Sequence, residues 1–536
     1  MSASRWEELG ARSLSTDEPG LRLKLLLLVV AAAVLRAVFF AGLAMQDDVH
    51  YIERAQQISA GELGRLDMTH STRLGLVLPP ALSFAIVGVG EVAAVWWPFL
   101  CSVLAPLVAF ALGRRLFSAP VGLLAALLLV VFPLELIFAS QLSASVITGF
   151  FSGIALLAFL RGEQTGQARD SFLAGLALGA ATIVHESSLL CLLFYGLYAL
   201  VIRRPLRRDA FAVIGLALVC LLDPLFYGLF AGDPFAHWRV LSGGVLERGF
   251  IDVIDAGLNA EWLLRPFARL FTEQEFGLFP YLYVPITVMA LLRPSHPHQQ
   301  ILALWIVAIF VWSCYGPVSP FSYVTLPRHP RYLSLITIPA LVLLANWLIK
   351  EVRPRTARIV VAVLVVTSLF CAVVDDGRRA AQPHRELAAY LRLHRPEAFA
   401  AGYSVIVSVL FYEGFDPPFP AYQLQHPYSG DGATTIRFRH GSEPDRQMTT
   451  QTSLDVATDD PTISQDLLSR GGKQLAEFAH PLTLRSRLLS SSVVSALLSW
   501  GRDDYRMAAL RAALPPIRLY RVPAGRFTVD GSPARG

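Results

Sequence analysis

The chain has 536 residues, of which 54% are hydrophobic and only 16% are charged, and its mean hydropathy is +0.49. This composition excludes an ordinary soluble protein and is typical of a polytopic α-helical membrane protein. The formal net charge is +5, but the basic residues lie between apolar runs. They therefore indicate membrane topology, and no nucleic-acid partner is expected.

The N-terminal segment 1–24 is polar, and the first long apolar run covers residues 25–45. This run is long enough to span a bilayer, and no small-residue cleavage site precedes the acidic residues that follow it. We therefore expect a retained transmembrane helix and not a signal peptide.

Apolar runs separated by charged breaks predict about eleven spans, and more if some runs divide. The predicted spans are 25–45, 78–112 with a break near Glu91, 119–138, 142–160, 171–185, 188–202, 210–231, 278–292, 301–315, 331–349 and 359–374. The run 78–112 could hold two short spans. The charge pattern favours one crossing, preceded by an interfacial or re-entrant stretch.

With this arrangement, the connections rich in arginine and lysine all fall on the side of the basic N-terminus. By the positive-inside rule that side is the cytoplasm, so we expect a multi-pass protein of the inner or plasma membrane with a cytoplasmic N-terminus. The segments predicted on the extracytoplasmic face are 46–77, 141–145, 185–186, 232–277, 316–331 and the tail after residue 374.

The tail 376–536 has the patterning of a soluble domain. It contains a helix-like run at 385–393, a β-rich run at 403–412, a turn-rich stretch at 414–462, an apolar helix candidate at 493–500 and a closing strand at 517–522. These elements predict a small extracytoplasmic α/β domain. It carries no nucleotide-phosphate loop and no zinc-type spacing, so a binding or lid role is expected. The five cysteines all lie in predicted spans and are expected to be packing residues.

Two adjacent acids, Asp47 and Asp48, directly follow the first apolar run and are followed by Tyr51 in the stretch DDVHYIERAQQISAG. Adjacent carboxylates repel each other, so they suit a site where a cation or a proton-accepting task gives them a use. Either acid could take a proton from an attacking acceptor group. Either could also simply cap the helix that begins there. Both roles can hold, with one acid capping and the other reacting.

Arginines precede two of the predicted spans. Arg73 lies in HSTRLGLVLPP, and Arg328, His329, Arg331 and Tyr332 lie in LPRHPRYL. A guanidinium at headgroup depth can bind a phosphate through two points, as a lipid carrier or a leaving phosphate would require. The alternatives are a snorkelling arginine and plain attraction to anionic headgroups.

A charged dipeptide, His185-Glu186, separates two apolar runs in ATIVHESSLL. Ionisable groups at this depth normally point into a cavity or pair with each other, so both a binding site and a hydrogen-bonded turn are open interpretations. Two ligands are too few to predict a metal site. No cofactor is expected, and a divalent metal is possible but not indicated. The later stretch YGLFAGDPFAHWR predicts a turn followed by an amphipathic interfacial helix.

These features resemble, in their order and sidedness, the GT-C glycosyltransferases of family 39. The resemblance covers about residues 20–375 and is carried by the acid pair with its tyrosine, a basic residue and prolines before the second span, the Gly-Asp-Pro loop and the late Arg-Tyr. The most similar branches are the bacterial aminoarabinose transferases of the ArnT type and the protein O-mannosyltransferases. The resemblance implies a transmembrane GT-C-like catalytic domain over 25–375. It also implies transfer of a sugar from a polyprenyl-phosphate donor to a glycan, lipid or protein acceptor on the extracytoplasmic face.

Carried over residue by residue, Asp47 matches the first acid of the family pair and is the expected general base, while Asp48 replaces the second. Arg73 matches the basic residue that faces the carrier phosphate, and Arg331 matches the late Arg-Tyr position. The remaining residues expected in the substrate site are Tyr51, His185, Glu186, Arg328, His329 and Tyr332.

One departure concerns the turn before the fourth span, where family members often carry an acid and this chain has QLSASVIT. Glu186 is one candidate to supply the missing carboxylate. The alternatives from other classes are a polytopic lipid or solute transporter and a scaffold with a sensing tail, and an O-antigen ligase-like enzyme is a further enzymatic alternative. A transporter would be expected to show an internal repeat, which the sequence does not show convincingly.

Overall fold

A computed structural model describes residues 20–40, 42–43, 47–62, 72–202, 209–247, 260–316, 330–375, 378–419, 421–423, 454–459, 461–469, 471–479 and 516–522. The chain divides into two compact units. The first is formed by Met1–Phe40, Gly61–Pro80 and Val95–Asp375, and the second by Ala41–Ala60, Ala81–Ala94 and Asp376–Gly536. The second unit therefore includes the segment that carries the acid pair as well as the C-terminal tail.

Helices dominate the described part of the chain up to residue 375. In chain order they are α1 (Leu21–Val38), α2 (Asp47–Ser59), α3 (Leu74–Val87), α4 (Glu91–Leu116), α5 (Ala119–Val131), α6 (Pro133–Phe138), α7 (Ala144–Thr165), α8 (Ala168–Val184), α9 (Cys191–Ile202), α10 (Asp209–Cys220), α11 (Leu222–Ala231), α12 (Ala236–Glu247), α13 (Ala260–Thr272), α14 (Pro280–Leu292), α15 (Pro297–Tyr315), α16 (Ser334–Lys350) and α17 (Pro354–Asp375). Two short 3-10 helices cover Glu186–Leu190 and Pro330–Leu333. Each apolar run predicted from the sequence overlaps at least one of these helices.

Among the described residues, six helical segments are long and apolar enough to cross a membrane. They are Glu91–Leu116, Ala144–Thr165, Asp209–Ala231, Pro297–Tyr315, Arg331–Lys350 and Pro354–Val373. Four shorter apolar helices are Leu74–Val87, Ala119–Val131, Glu186–Leu200 and Pro280–Leu292. The chain is thus a multi-pass membrane protein, while the number of about eleven spans stays a prediction.

Two predicted apolar runs are each divided into two helices, one at a proline and one at a glycine. The run 119–138 divides into α5 and α6 because Pro133 has no N–H to continue the helical hydrogen bonds. The break expected near Glu91 lies between α3 and α4, where Gly88 adopts a φ of 86°. A positive φ is accessible to glycine at little cost, so Gly88 lets the helix end abruptly.

The core of the first unit is built around α16, which packs against α5, α7, α14 and α15. Within the Arg331–Lys350 segment, 83% of the most apolar stretch of 18 residues is buried inside the protein. This helix is apolar on all sides, as expected for a helix that other helices surround. The segments Asp209–Ala231 and Pro354–Val373 are only 17% buried, so most of their side chains face outwards.

Helices α8 and α10 approach so closely that they require glycine at the contact. A Cβ atom built at Gly175 would overlap the carbonyl oxygen of Ala212, and one built at Gly215 would overlap that of Phe172. Small residues at such contacts allow helix backbones to pack in a membrane, where van der Waals contact is a main attraction between helices. These two glycines therefore fix the spacing of the two helices.

A buried polar cluster lies inside the helices of the first unit. The Arg36 guanidinium donates to Ser102 Oγ at 3.0 Å and to the carbonyl oxygens of Leu129 (3.3 Å) and Val130. The Ser102 hydroxyl donates in turn to Glu135 Oε2 at 2.6 Å. Arg36 thus lies buried in the last turn of α1, in the middle of the first predicted span, and its charge is satisfied within the protein, as a polar group in a bilayer must be.

The described residues of the tail form a five-stranded sheet with helices around it. Its elements are α18 (Arg378–His394), β1 (Phe399–Ala401), α19 (Tyr403–Tyr412), β2 (Ala421–Gln423), β3 (Leu454–Thr458), α20 (Pro461–Ser469), β4 (Lys473–Phe478) and β5 (Ile517–Val522). The strand order is β2-β1-β3-β5-β4, with β1 parallel to β2 and β3 and with β5 antiparallel to β3 and β4. The predicted closing strand 517–522 and the helix-like run 385–393 are confirmed. The helix candidate at 493–500 lies outside the described residues.

The predicted β-rich run 403–412 is wrong, because these residues form helix α19. Its sequence YSVIVSVLFY is rich in β-branched and aromatic residues, which favour strands. However, residues 405–409 are all buried, and α19 packs against α2, α18 and the strands β1 and β2. A helix enclosed on several sides can bury five consecutive residues, so tertiary packing overrides the local propensity here.

Candidate active site

The acid pair opens helix α2 in the second unit. Asp47 and Asp48 lie in its first turn, where the helix dipole favours negative charge. Asp48 is 4% exposed and Tyr51 is 3% exposed, whereas Asp47 is half-buried. Asp47 is therefore the more accessible of the two acids. The location at a helix start suits both the catalytic and the capping interpretation of the pair.

In the first unit, Arg73 directly precedes α3 and faces Glu186. Its guanidinium approaches the carboxylate through two nitrogens, with Nε 3.4 Å from Oε1 and Nη2 3.4 Å from Oε2. Only 10% of the Arg73 side chain and 15% of the Glu186 side chain are exposed. The pair is thus a two-point contact between largely desolvated charges, which the chain places 113 residues apart.

Glu186 itself is held at the turn that leads from α8 into the 3-10 helix Glu186–Leu190. His185 caps this 3-10 helix, because its Nδ1 accepts a hydrogen bond from the Ser187 N–H at 3.2 Å. The same Nδ1 lies 3.5 Å from Glu186 Oε2. The dipeptide predicted as either a turn or a binding site therefore does build a turn, and the turn presents Glu186 to Arg73.

His237, the second residue of α12, extends this group of charges. Its Nε2 lies 3.1 Å from Glu186 Oε1, and its Nδ1 lies 3.0 Å from Asp223 Oδ2. Burial lowers the pKa of His237, but hydrogen bonds to the Asp223 and Glu186 carboxylates outweigh burial and raise the pKa to about 9. A carboxylate oxygen thus lies within 3.1 Å of each ring nitrogen, and both carboxylates favour the charged form of the imidazole.

This elevated pKa predicts a pH-dependent contribution to stability. Because the folded-state pKa of about 9 exceeds the ordinary value of 6.5, the contribution is fully present below pH 6.5 and is lost as the pH rises through 9. The measurement is thermal unfolding of the full chain in detergent between pH 6 and pH 10. At neutral pH the Tm of His237→Gln should be lower than that of wild type. As the pH is raised to 10, the Tm of His237→Gln should fall less than that of wild type. His394→Gln, at an exposed position on α18, is the matched control and should follow wild type. An equally steep alkaline loss in His237→Gln would contradict the assignment.

The 3-10 helix Pro330–Leu333 brings the late Arg-Tyr pair to the same place. The Tyr332 ring meets the His185 ring edge-on at 5.2 Å, and the Arg331 guanidinium carbon lies 5.6 Å from the centre of the Tyr332 ring. Arg331 and Tyr332 are both half-buried. The structure thus joins predicted site residues from three distant stretches of the chain. Arg328 and His329 lie outside the described residues.

We refer to Arg73, His185, Glu186, Asp223 and His237 as the Glu186 cluster. Two of its members, Asp223 and His237, were not predicted as site residues. For Asp223 a signal was available, because an acid inside the apolar run LVCLLDPLFYG is costly in a membrane and marks a functional or paired group. For His237 the sequence predicted a turn followed by a helix and left contact with substrate open; the structure contains the turn and the helix. Asp47, Asp48 and Tyr51 belong to the second unit.

The turn before α7 carries serines where an acid was expected from the family resemblance. Ser143 caps α7 by accepting a hydrogen bond from the Ser145 N–H at 3.4 Å, and the two hydroxyl oxygens lie 2.8 Å apart. These serines have a local structural task. Within the described ranges, no group of three or more His, Cys, Asp or Glu residues has the geometry of a metal site.

The chain is similar to one protein-family model and to several solved structures. Residues 80–227 match the family model described as dolichyl-phosphate-mannose-protein mannosyltransferase. ArnT from Cupriavidus metallidurans in the apo state aligns over 85% of this chain and 96% of its own, with a TM-score of 0.52 and 15% identity. The same protein bound to undecaprenyl phosphate aligns over 94% and 99%, with a TM-score of 0.54 and 13% identity.

The chain has the GT-C glycosyltransferase fold. A third GT-C structure, the apo oligosaccharyltransferase of Archaeoglobus fulgidus, aligns over 75% of this chain and 64% of its own, with a TM-score of 0.51 and 12% identity. A search of functionally curated proteins finds no match. The family resemblance drawn from the acid pair and the arginines is thus confirmed at the level of the GT-C fold, while the roles of individual site residues stay predictions.

Proposed function

We propose that this protein transfers a sugar from a polyprenyl-phosphate donor to an acceptor on the extracytoplasmic face of the membrane. The observation that carries the proposal is the Glu186 cluster, a largely buried set of opposite charges next to Arg331 within a GT-C fold. Buried charges are costly unless they are paired, so their concentration at one place suits a site that handles a charged ligand. ArnT, which has the same fold, has been solved with undecaprenyl phosphate bound.

The donor end of the reaction requires positive charge. When the glycosidic bond breaks, its electron pair goes to the phosphate oxygen, which gains negative charge. Preorganised cations at that oxygen lower the barrier because they stabilise charge that develops only in the transition state. Arg73 and Arg331 are the proposed phosphate ligands, and Tyr332 supports Arg331 through the contact with its ring.

The acceptor end requires a base. As the acceptor hydroxyl or amine forms its bond to the anomeric carbon, its proton passes to the Asp47 carboxylate. Asp48, which is buried, is proposed to stabilise the first turn of α2 and to keep Asp47 in place. The proton thus leaves on Asp47 and the negative charge leaves on the polyprenyl phosphate, so charge and atoms balance without a nucleotide.

Glu186 has a supporting task in this scheme. It pairs with Arg73 and His237 and is proposed to fix the direction of the Arg73 guanidinium, as a positioned carboxylate does for a ligand in other sites. It thereby supplies the carboxylate that the turn before α7 lacks.

The test is the release of free polyprenyl phosphate from a panel of polyprenyl-phosphate sugars, using purified wild-type protein in detergent. Release with at least one sugar, together with a glycosylated acceptor, is the expected result. Vectorial transport has no meaning in detergent, so a transporter would consume no donor there. Thermal unfolding shows whether the purified protein is folded. If folded protein turns over no donor with any acceptor, the proposal is refuted and a transporter or scaffold is favoured.

A further inference from the structure

A second group of polar side chains, in the second unit, has no place in the mechanism above. Arg385 of α18 donates to Glu91 through Nε (3.2 Å to Oε1) and Nη2 (2.6 Å to Oε2). The Tyr412 hydroxyl at the end of α19 donates to Glu91 Oε1 at 2.8 Å. The guanidinium carbon of Arg385 also lies 5.8 Å from the centre of the Tyr412 ring. We refer to Glu91, Arg385 and Tyr412 as the Glu91 cluster.

The Glu91 cluster is stronger than an ordinary surface ion pair. The side chains of Glu91 and Arg385 are 20% and 37% exposed, and the carboxylate receives two guanidinium nitrogens and one hydroxyl. Two-point contacts of this kind set direction as well as distance. In the sequence, Glu91 lies 294 positions before Arg385 and 321 positions before Tyr412. The cluster therefore fixes the tail helices to the segment that begins α4.

The backbone in front of the acid pair lies directly against this cluster. Gly42 has a φ of 79°, and a Cβ built there would lie 2.9 Å from Glu91 Oε1 and 3.1 Å from Arg385 Nη2. Gly42 precedes Asp47 by five positions in the sequence. On the other side, α2 packs against α19, the helix that ends at Tyr412. The cluster therefore lies against Gly42, ahead of α2 in the chain, and one of its members, Tyr412, ends the helix that packs against α2.

We propose that Arg385, Glu91 and Tyr412 are positioning residues, through which the C-terminal tail holds Asp47 in the orientation needed to accept the acceptor proton. This inference rests on the proposed function, because it takes Asp47 as the base. The physical reason is that proton abstraction requires the base within hydrogen-bond reach, so a displacement of about 1 Å costs up to 10²-fold in rate. The tail then acts on catalysis without touching the donor.

The kinetic test compares Arg385→Ala and Tyr412→Phe with Arg518→Ala in the full chain. Arg518 of β5 is the matched control because it lies in the same unit and pairs with a glutamate, Glu477, at 3.2 Å. We expect Arg385→Ala to lower kcat by about ten- to a hundredfold, with KM for the donor changed less than about threefold. Tyr412→Phe should give a smaller loss of kcat, and Arg518→Ala should behave as wild type. A merely structural role would instead lower the amount of folded enzyme and leave its kcat intact.

A second measurement does not depend on transfer activity. A cysteine introduced at His50, in the first half of α2, is labelled with a maleimide, and the labelling of protein without this cysteine is subtracted. Labelling should be several times faster in the Arg385→Ala background than in the Arg518→Ala background. Equal labelling rates, or an unchanged kcat in Arg385→Ala, would overturn the inference. A labelling difference without any wild-type turnover would support the coupling of tail and α2 and would refute the proposed function.

Discussion

Asp47→Asn is expected to reduce sugar transfer by about 10²- to 10⁴-fold, the range typical for the removal of a general base. The amide has nearly the same shape as the carboxylate but cannot take the acceptor proton, so folding and donor affinity should be preserved. Release of polyprenyl phosphate and formation of glycosylated acceptor measure the loss. Glu62→Gln is the matched control, because Glu62 is an exposed carboxylate that follows the same helix.

Asp48→Asn separates the two acids of the pair. Asp48 is buried in the first turn of α2, where an asparagine oxygen can still accept backbone N–H groups, so this variant should retain most of the activity. If Asp48→Asn were inactive and Asp47→Asn fully active, Asp48 and not Asp47 would be the base. If both variants kept wild-type turnover, the acid pair would have no part in proton transfer.

Arg73→Ala is expected to lower transfer by about 10²- to 10³-fold, because it removes a cation that stabilises the leaving phosphate. It should also destabilise the protein by about 3 to 5 kcal/mol, since Glu186 then loses its guanidinium partner in a largely buried place. Thermal unfolding and polyprenyl phosphate release measure the two effects separately. Arg239→Ala is the control, because Arg239 pairs with Asp233 at an exposed surface.

The double variant Arg73→Ala/Glu186→Gln distinguishes the electrostatic role from the catalytic one. Removing the carboxylate charge together with the guanidinium should restore part of the lost stability, because no unbalanced charge stays buried. Activity should stay low, because the phosphate still lacks its cation. Recovery of both stability and turnover would show that Arg73 serves only to neutralise Glu186.

The helices could be predicted from the sequence because length and hydrophobicity decide whether a segment enters a membrane. The break near Glu91 was also visible, since Gly88, Gly90 and the acid Glu91 interrupt an otherwise apolar run. The helix at 403–412 could not be predicted, because its residues favour strands locally and only their enclosure by α2 and the tail elements selects a helix.

Three charged residues of the Glu186 cluster were named from the sequence, but the contacts among them were not. Arg73, His185 and Glu186 each stood out as charged groups beside apolar runs. Their contact depends on the packing of α3 beside the end of α8, which no local pattern encodes. The contact between His237 and Glu186 spans 51 positions and depends on the turn at Asp233, so it too appears only in the folded chain.

The central location of α16 also constrains how the protein is made. Because α16 begins at residue 334, the helices that surround it are synthesised before the helix that fills the space between them. Until α16 is inserted, the inward faces of α5, α7, α14 and α15 lack their common partner and must be occupied by lipid or by other helices. Assembly of the membrane domain is therefore completed late during translation, and a chain that stops before residue 350 would lack its core.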